Sequence, residues 1–419
     1  MTNPKGKEMN VDKLKSPLMR TLAERGYVNQ ATDIEGLDEL AAAGPISAYI
    51  GFDLTASSLH VGSMIQLMVL RILKAHGHKA FVLFGDATTR VGDPSGKNGA
   101  RPMLTAERIE ENRVGIVSVV DRIVGPCRHV HNSDWLDDLT FTDFLQGPAR
   151  KFTLNRMLTL DIVSRRLDQQ LPLTIAELMY NMMQGMDFAE LGRRFGVSLQ
   201  VGGSDQWSNI LAGMELGRRD DGSTLFGLTT PLMTDETGRK MGKTADGRAV
   251  WLSPDRLSSF DLWQFWRNVP DAKVGEFLGL FTDLPMDEVR RLRALEGAAI
   301  NEAKIALATE AVAIAHGRAA AETAAAASRE VFSGSGADED MPTVAIDAEA
   351  MSTMTLADLI VKAGLAESKG GARRLAQQGG LRVNGEAVND ANAGAVETLG
   401  VLPATLSAGR KRHVRIVTS

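Results

Sequence analysis

LTASSLHVGS (Leu54–Ser63) is the stretch on which the reading of this chain turns. It follows the apolar run ISAYIGF (Ile46–Phe52) and precedes a segment with Val61, Ile65, Met68, Ile72 and Ala75 at helical spacing. The first reads as a strand, and His60–His76 reads as an amphipathic helix. Between them sit Asp53, Thr55, two serines and His60. Such a turn is either a plain connector or an anion cradle. The free N–H groups and dipole at a helix start favour anions, and Gly62 lets a ligand approach the backbone. Taken alone, one histidine at a helix start is more often structural than chemical.

Working outward, KAFVLFGD (Lys79–Asp86) reads as a second strand, Thr105–Val124 as a helix and CRHVHN (Cys127–Asn132) as a third strand. This β-α-β-α-β order predicts an α/β fold, Rossmann-like, with helices on the faces of a parallel sheet. Ligands of such sheets lie at the carboxyl ends of the strands, where LTASSLHVGS falls. Further on, Thr174–Phe195 reads as helix and VSLQVGG (Val197–Gly203) as strand. LFGLTTPLMT then leads into a glycine-punctuated loop, DETGRKMGKTADG (Asp235–Gly247). The expected domains are a catalytic domain over residues 1–252, an α-helical domain over 253–332, a linker over 333–350 and a small α+β domain over 351–419. SGSGADEDMP (Ser333–Pro342) marks the linker. The last domain reads as helix, turn, basic helix and strand, with a turn signal at Asn384-Gly385. No internal repeat is present. Trp251, Trp263 and Trp266 are expected in the core.

The 419 residues allow two or three domains, and 44% apolar content fits a folded globular chain. The net charge of -5 excludes a surface that binds polyanions everywhere. The charge is uneven: residues 351–419 hold nine Lys/Arg against five Asp/Glu, a net +4 that leaves -9 on the rest. A basic tail on an acidic body points to a local anionic partner. Cys127 is the only cysteine, which excludes an internal disulfide framework and fits a reducing compartment. The N-terminal MTNPKGKEMNVDKLKSPLM lacks a signal-peptide core, and no apolar run approaches a membrane span. The expectation is a cytoplasmic protein without membrane contact.

The second candidate for chemistry is GRKMGKT (Gly238–Thr244), two lysines three apart in a loop with Gly238, Gly242 and Gly247. A lone KxxK is ordinarily a solvated surface loop. The phosphate-binding pattern GxxxxGK[ST] is absent, so a phosphate would be shared between His60 and this distant loop. Here the residues carry a resemblance. LHVGS after a strand, with KMGKT far downstream, resembles the paired signatures of class I aminoacyl-tRNA synthetases. YIGFDLTASSLHVGS, VGDPSGK, YNMMQGMDF and QVGGSDQWSNI, in that order, closely resemble bacterial tyrosyl-tRNA synthetases. The final domain resembles the S4-type RNA-binding module that ends that family. The resemblance spans nearly the whole chain. Each fragment alone is weak; five in register are highly specific.

The resemblance implies a role for each matching residue. Tyr49 and Asp187 would bind the phenol hydroxyl of tyrosine. Asp93, Tyr180 and Gln184 would hold its ammonium group, and Gln206 would approach its carboxylate. Gly51, Asp53, Gly203 and Asp205 would line the adenosine and ribose site, Thr55 and His60 would contact the ATP phosphates, and Gly62 and Ser63 would belong to the ATP site, the serine bonding ribose or phosphate. Lys97, Arg101, Lys240, Lys243 and Thr244 would lie on loops that close over pyrophosphate. ATP would bring Mg²⁺ with it, and no dedicated metal cage is expected. Lys369, Arg373, Arg374 and Arg382 would contact tyrosine tRNA, with Arg410, Lys411, Arg412 and Arg415 near the C-terminus adding charge. The helical domain would bind the anticodon, and a homodimer is implied.

The chemistry agrees with those roles. A phenol hydroxyl would pair with the Asp187 carboxylate and the Tyr49 hydroxyl, groups that phenylalanine would leave unpaired, and the family this chain resembles is itself the known case of that discrimination. Only Tyr27, Tyr49 and Tyr180 occur in the chain, and two of the three fall at the implied pocket. Departures from the family pattern are Ser63 in place of a second histidine, Leu54 in place of proline, Ile50 in place of a small polar residue and Gly242 in place of serine. Two alternatives remain open on the residues: a tryptophan–tRNA ligase, against which Asp187 with Tyr49 argues, and a catalytically inactive RNA-binding paralogue, which Ser63 keeps open.

Overall fold

The computed structural model describes residues 10–94, 103–243, 247–333, 342–400, 402–409 and 412–418. Lys97, Arg101, Thr244, Arg410 and Lys411 lie outside the described residues. Two compact units form, one of residues 1–257 with 268–316, the other of residues 258–267 with 317–419.

The first unit is built on a six-stranded sheet. Its strands are β1 (Gln30–Ala31), β2 (Ser47–Asp53), β3 (Lys79–Gly85), β4 (Arg128–His131), β5 (Leu199–Gly203) and β6 (Phe226–Thr230), in spatial order β1-β6-β5-β2-β3-β4. All neighbours pair in parallel except the edge strand β1, which runs antiparallel to β6. Burial from both faces explains the apolar runs: Ala48, Tyr49 and Ile50 on β2 and Val82 to Phe84 on β3 are all buried. The chain proceeds from β2 to β3 and β4 on one side, then returns to place β5 and β6 on the other. That reversal opens a crevice at the carboxyl ends of β2 and β5.

Helix α1 (Val61–Ala75) follows β2 across the turn on which the sequence reading centred, with His60 as its N-cap and His76 as its C-cap. Its buried face runs through Val61, Met64, Ile65 and Met68. Helix α2 (Ala106–Val124) starts on a Thr105 cap, and α3 (Ile175–Phe195) starts on a capping box of Thr174 and Glu177 and ends on Gly196 at φ 64°. Helix α4 (Trp207–Asp220) leaves β5 through one tight turn, Ser204–Gln206.

Three differences from the sequence reading stand out. LFGLTTPLMT is not merely a lead-in to a loop: Phe226–Thr230 is the fully buried strand β6. Nothing alternates there because both faces are covered. The boundary expected at 252/253 is cut across. Helices Asp271–Phe281 and Ile300–His316 belong to the first unit, where they pack on α1 and α2. The Tyr27 hydroxyl donates to the Leu280 carbonyl at 2.5 Å, and His316 Nε2 lies 3.1 Å from the Leu252 carbonyl. Helices Ser259–Arg267 and Arg318–Ser333 pack on each other in the second unit, burying Trp263 and Trp266 as expected.

The third difference is in the tail. The expected linker over 333–350 contains a strand, β7 (Thr343–Ile346), so the terminal sheet begins before residue 351. The other strands are β8 (Leu381–Val383), β9 (Glu386–Ala387), β10 (Ala404–Ala408) and β11 (Arg412–Thr418), in order β7-β11-β10-β8-β9. β7 was illegible because it is a short edge strand, added in parallel to β11. Asn384 (φ 50°) and Gly385 (φ 87°) make the turn between β8 and β9, a left-handed pair that Asn-Gly adopts readily. Leu356, Leu359, Ile360, Leu381, Leu406 and Ile416 form the core of this module.

Candidate active site

A cavity of about 620 Å³ opens at the carboxyl ends of β2 and β5, a size suited to a small organic ligand. Two periodicities aim side chains into it. Tyr49, Gly51 and Asp53 alternate on one face of β2, and Tyr180, Gln184 and Asp187 recur on one face of α3. Asp93 follows β3, and Gly203, Asp205 and Gln206 occupy the turn after β5. Thr55, His60, Gly62 and Ser63 come from the turn after β2, and Lys240 and Lys243 from the glycine-punctuated loop. Every sequence-singled residue of this set that lies within the described residues lines the one cavity.

At its floor Asp187 is 2% exposed. Its carboxylate accepts from Asn132 Nδ2 at 3.1 Å and from Trp135 Nε1 at 2.9 Å. Burial pushes its pKa up to about 7, against the pull of those two donors. The Tyr49 hydroxyl is fully buried and has no hydrogen-bond partner among the described residues. Burial first, then the nearby Asp187 carboxylate, raises its pKa. An unpaired buried hydroxyl on a cavity wall is costly unless a ligand completes it.

In the middle of the cavity Asp53 accepts from the hydroxyls of Tyr180 at 3.0 Å and Thr88 at 2.9 Å. The resemblance separates Tyr180 and Asp53 between two ligands; the structure joins them. Gln206 Nε2 donates to Asp93 Oδ2 at 2.9 Å.

At the mouth, His60 Nδ1 accepts from the Gly62 N–H at 3.0 Å, so Nε2 is the donor end of the neutral ring. A Cβ on Gly62 would stand 2.7 Å from His60 Cε1, so only glycine lets the ring fold back over the helix start. The lysine loop is tied to this turn by backbone: Val61 N–H donates to Val250 O at 2.9 Å and Leu252 N–H to Leu59 O at 2.8 Å. Lys240 Nζ pairs with Asp205 Oδ2 at 2.9 Å. Among the described residues no group of three His, Cys, Asp or Glu side chains could hold a metal ion.

Four residues were missed. Asn132 closes the run CRHVHN but drew no role, and Trp135 lies three residues beyond it, although the end of a parallel strand, here at His131, is where ligand-facing polar groups collect. Asn209 lies in the quoted QVGGSDQWSNI but drew no role. Trp251 was expected in the core; instead it lines the cavity, with the Arg256 guanidinium 4.2 Å from its ring centroid. In the tail, Lys369, Arg373, Arg374 and Arg382 are all exposed. Lys369 pairs with Asp358, and Arg373 Nε donates to Asn392 Oδ1 at 2.8 Å.

Comparison with known proteins defines the class first. Residues 41–333 match the family described as tRNA synthetases class I (W and Y), and residues 354–393 match the S4 domain. The chain is 51% identical to the tyrosine–tRNA ligase of Rhodospirillum rubrum, over 96% of this chain and 98% of that one. It is 49% identical to the tyrosine–tRNA ligase of Xanthobacter autotrophicus, over 97% and 99%. The crystal structure of a C-terminally truncated mitochondrial tyrosyl-tRNA synthetase from Coccidioides posadasii superposes with a TM-score of 0.64 at 30% identity, over 74% of this chain and 91% of that one. The chain belongs to the tyrosyl-tRNA synthetases.

Proposed function

We propose that the chain activates L-tyrosine with ATP to tyrosyl-adenylate and then transfers tyrosine to the 3′ terminal ribose of tyrosine tRNA. The observation that carries this reading is the floor of the cavity. Asp187 and the unpartnered Tyr49 hydroxyl form a buried polar end, and the opposite end is a helix start beside two lysines. A phenol completes the floor; an indole or a phenyl ring does not.

In this reading Asp93, Tyr180 and Gln184 hold the ammonium group and Gln206 meets the carboxylate. Gly51, Asp53, Gly203 and Asp205 take the adenosine and ribose. Thr55, His60, Gly62 and Ser63 receive the phosphates, and Lys240 and Lys243 close over the pyrophosphate with Lys97, Arg101 and Thr244. The tyrosine carboxylate oxygen attacks the α-phosphorus in line, the bond to the bridging oxygen breaks and pyrophosphate leaves. A ribose hydroxyl of tRNA then attacks the acyl carbon, and AMP leaves. No covalent enzyme intermediate is needed, so the work is positioning and charge stabilisation on the transferring group. Mg²⁺ would arrive with ATP and offset phosphate charge.

For tRNA, the exposed Lys369, Arg373, Arg374 and Arg382 suit phosphate contacts, which position RNA without reading its sequence. Phe141, Leu145, Leu154, Leu158, Leu167 and Ile175 are exposed on the segment leading into α3. Large apolar side chains gathered in one segment suit burial against a second copy, and we assign a homodimer. No described helix is long and apolar enough to cross a membrane, and the assigned compartment is the cytoplasm. An RNA-binding paralogue without catalysis is not favoured, since relatives matching nearly end to end are named tyrosine–tRNA ligases.

The test is amino-acid-dependent ATP–pyrophosphate exchange in Mg²⁺ with tyrosine, phenylalanine and tryptophan. Exchange with tyrosine alone is expected; no exchange with any of them would sink the adenylation reading.

A further inference from the structure

Primary amides pose a problem of orientation that packing cannot solve. Their oxygen and nitrogen ends have nearly the same shape, so only hydrogen bonds decide which end faces a ligand. Two such amides, Gln184 and Gln206, line the cavity. Behind them lies Asn209, 6% exposed and outside the cavity lining. Asn209 Nδ2 donates to Gln184 Oε1 at 2.9 Å and to Gln206 Oε1 at 3.0 Å, so both of its hydrogens are used. Its own oxygen accepts from Asn181 Nδ2 at 2.8 Å. The second hydrogen of Asn181 goes to the backbone carbonyl of Ser208 at 3.2 Å, an acceptor that cannot flip. The relay ends at Asp93, which accepts from Gln206 Nε2 at 2.9 Å. Its direction is thus set from a backbone carbonyl at one end and suits a carboxylate at the other.

We propose that Asn209 is a positioning residue of the tyrosine site. Its two N–H groups hold both glutamines by their carbonyl oxygens, which turns the Gln206 amino group into the cavity as a donor for the substrate carboxylate. The Gln184 oxygen keeps a second lone pair. The inference rests on the proposed tyrosine site. Without the Asn209 donors, only the bond from its Nε2 to Asp93 still orients the Gln206 amide, and a flip would present its oxygen to the substrate carboxylate, a repulsive pairing.

The experiment compares equilibrium binding of L-tyrosine and of tyramine, which lacks the carboxylate, to the full chain and to Asn209→Leu and Asn209→Asp. The Leu variant removes both donors without adding charge. The Asp variant keeps the shape and the acceptor for Asn181. Both variants are expected to raise the tyrosine Kd by about 10-fold or more, and the tyramine Kd by less than about threefold. A Leu variant that binds tyrosine as the parent does, or that loses both ligands by the same factor, overturns the assignment. So does a loss confined to the Asp variant, which would report charge repulsion. If the Leu variant does not fold, Asn209→Ala, which also removes both donors without adding charge, decides in its place by the same two Kd readings. A parent that fails to bind tyrosine would instead remove the site reading itself.

Discussion

At the floor of the cavity Asp187 is 2% exposed and fixed by two donors; at the mouth Lys240 is 55% exposed and held by one carboxylate. The floor is finished before any ligand arrives, apart from one phenol-sized gap in its hydrogen bonding at Tyr49. The mouth is unfinished: a loop hung by a few backbone bonds on the turn before α1, with an ion pair that water competes for. The difference separates two tasks. Selecting tyrosine over a near-isostere needs desolvated groups that punish a missing hydroxyl. Stabilising a transferring phosphoryl group needs charges that strengthen as the reaction proceeds and let the product go.

Breaking the floor should have the largest effect. Asp187→Ala is expected to lower kcat/KM for tyrosine by about 10²–10³-fold while leaving phenylalanine nearly unchanged, as read by pyrophosphate exchange. Unchanged selectivity would remove Asp187 from the pocket. Next comes the mouth. Lys240→Ala should lower the rate of adenylate formation about 10- to 100-fold with little change in tyrosine KM. Its melting temperature should stay near the parent's, because the exposed pair with Asp205 contributes little to stability.

The third prediction sharpens the floor by pH. The Asp187 pKa, about 7, is raised by burial, so the carboxylate is ionised above that pH and protonated below it. The ionised form is the stronger acceptor for the phenol hydroxyl. Tyrosine Kd should therefore rise as pH falls through about 7, by up to about tenfold per unit. Trp135→Phe removes one donor that stabilises the ionised form, so the loss should set in at higher pH. A pH-independent Kd would contradict the role of Asp187 as acceptor. The smallest effect is expected at the helix start. Ser63→His should lower the ATP KM about two- to fivefold, by adding a donor beside a helix N-terminus.

The same contrast explains what the sequence disclosed. The β2–α1 junction was legible because strand period, helix period and cap agreed within a few residues: His60 and His76 fall at the two ends of α1. The face of α3 was reached through the family resemblance, and helical spacing then explains why Tyr180, Gln184 and Asp187 share one side of the cavity. What stayed hidden depends on long-range partners. Asn132 and Trp135 meet Asp187 across more than 50 residues, and no local spacing announces that. Strand β6 hid because a strand covered on both faces has no alternation, and β7 because its partner is distant in sequence, Thr343 pairing with Arg415. Trp251 hid because its cavity is made by the return of a loop to the β2–α1 turn.

The division between floor and mouth is tested most directly by stopped-flow measurement of adenylate formation across tyrosine concentrations, in the parent, Asp187→Ala and Lys240→Ala. Asp187→Ala should raise the tyrosine dissociation constant and leave the limiting rate close to the parent's. Lys240→Ala should lower the limiting rate and leave the dissociation constant close to the parent's. Two variants that shift the same parameter, or that exchange these effects, would contradict the account.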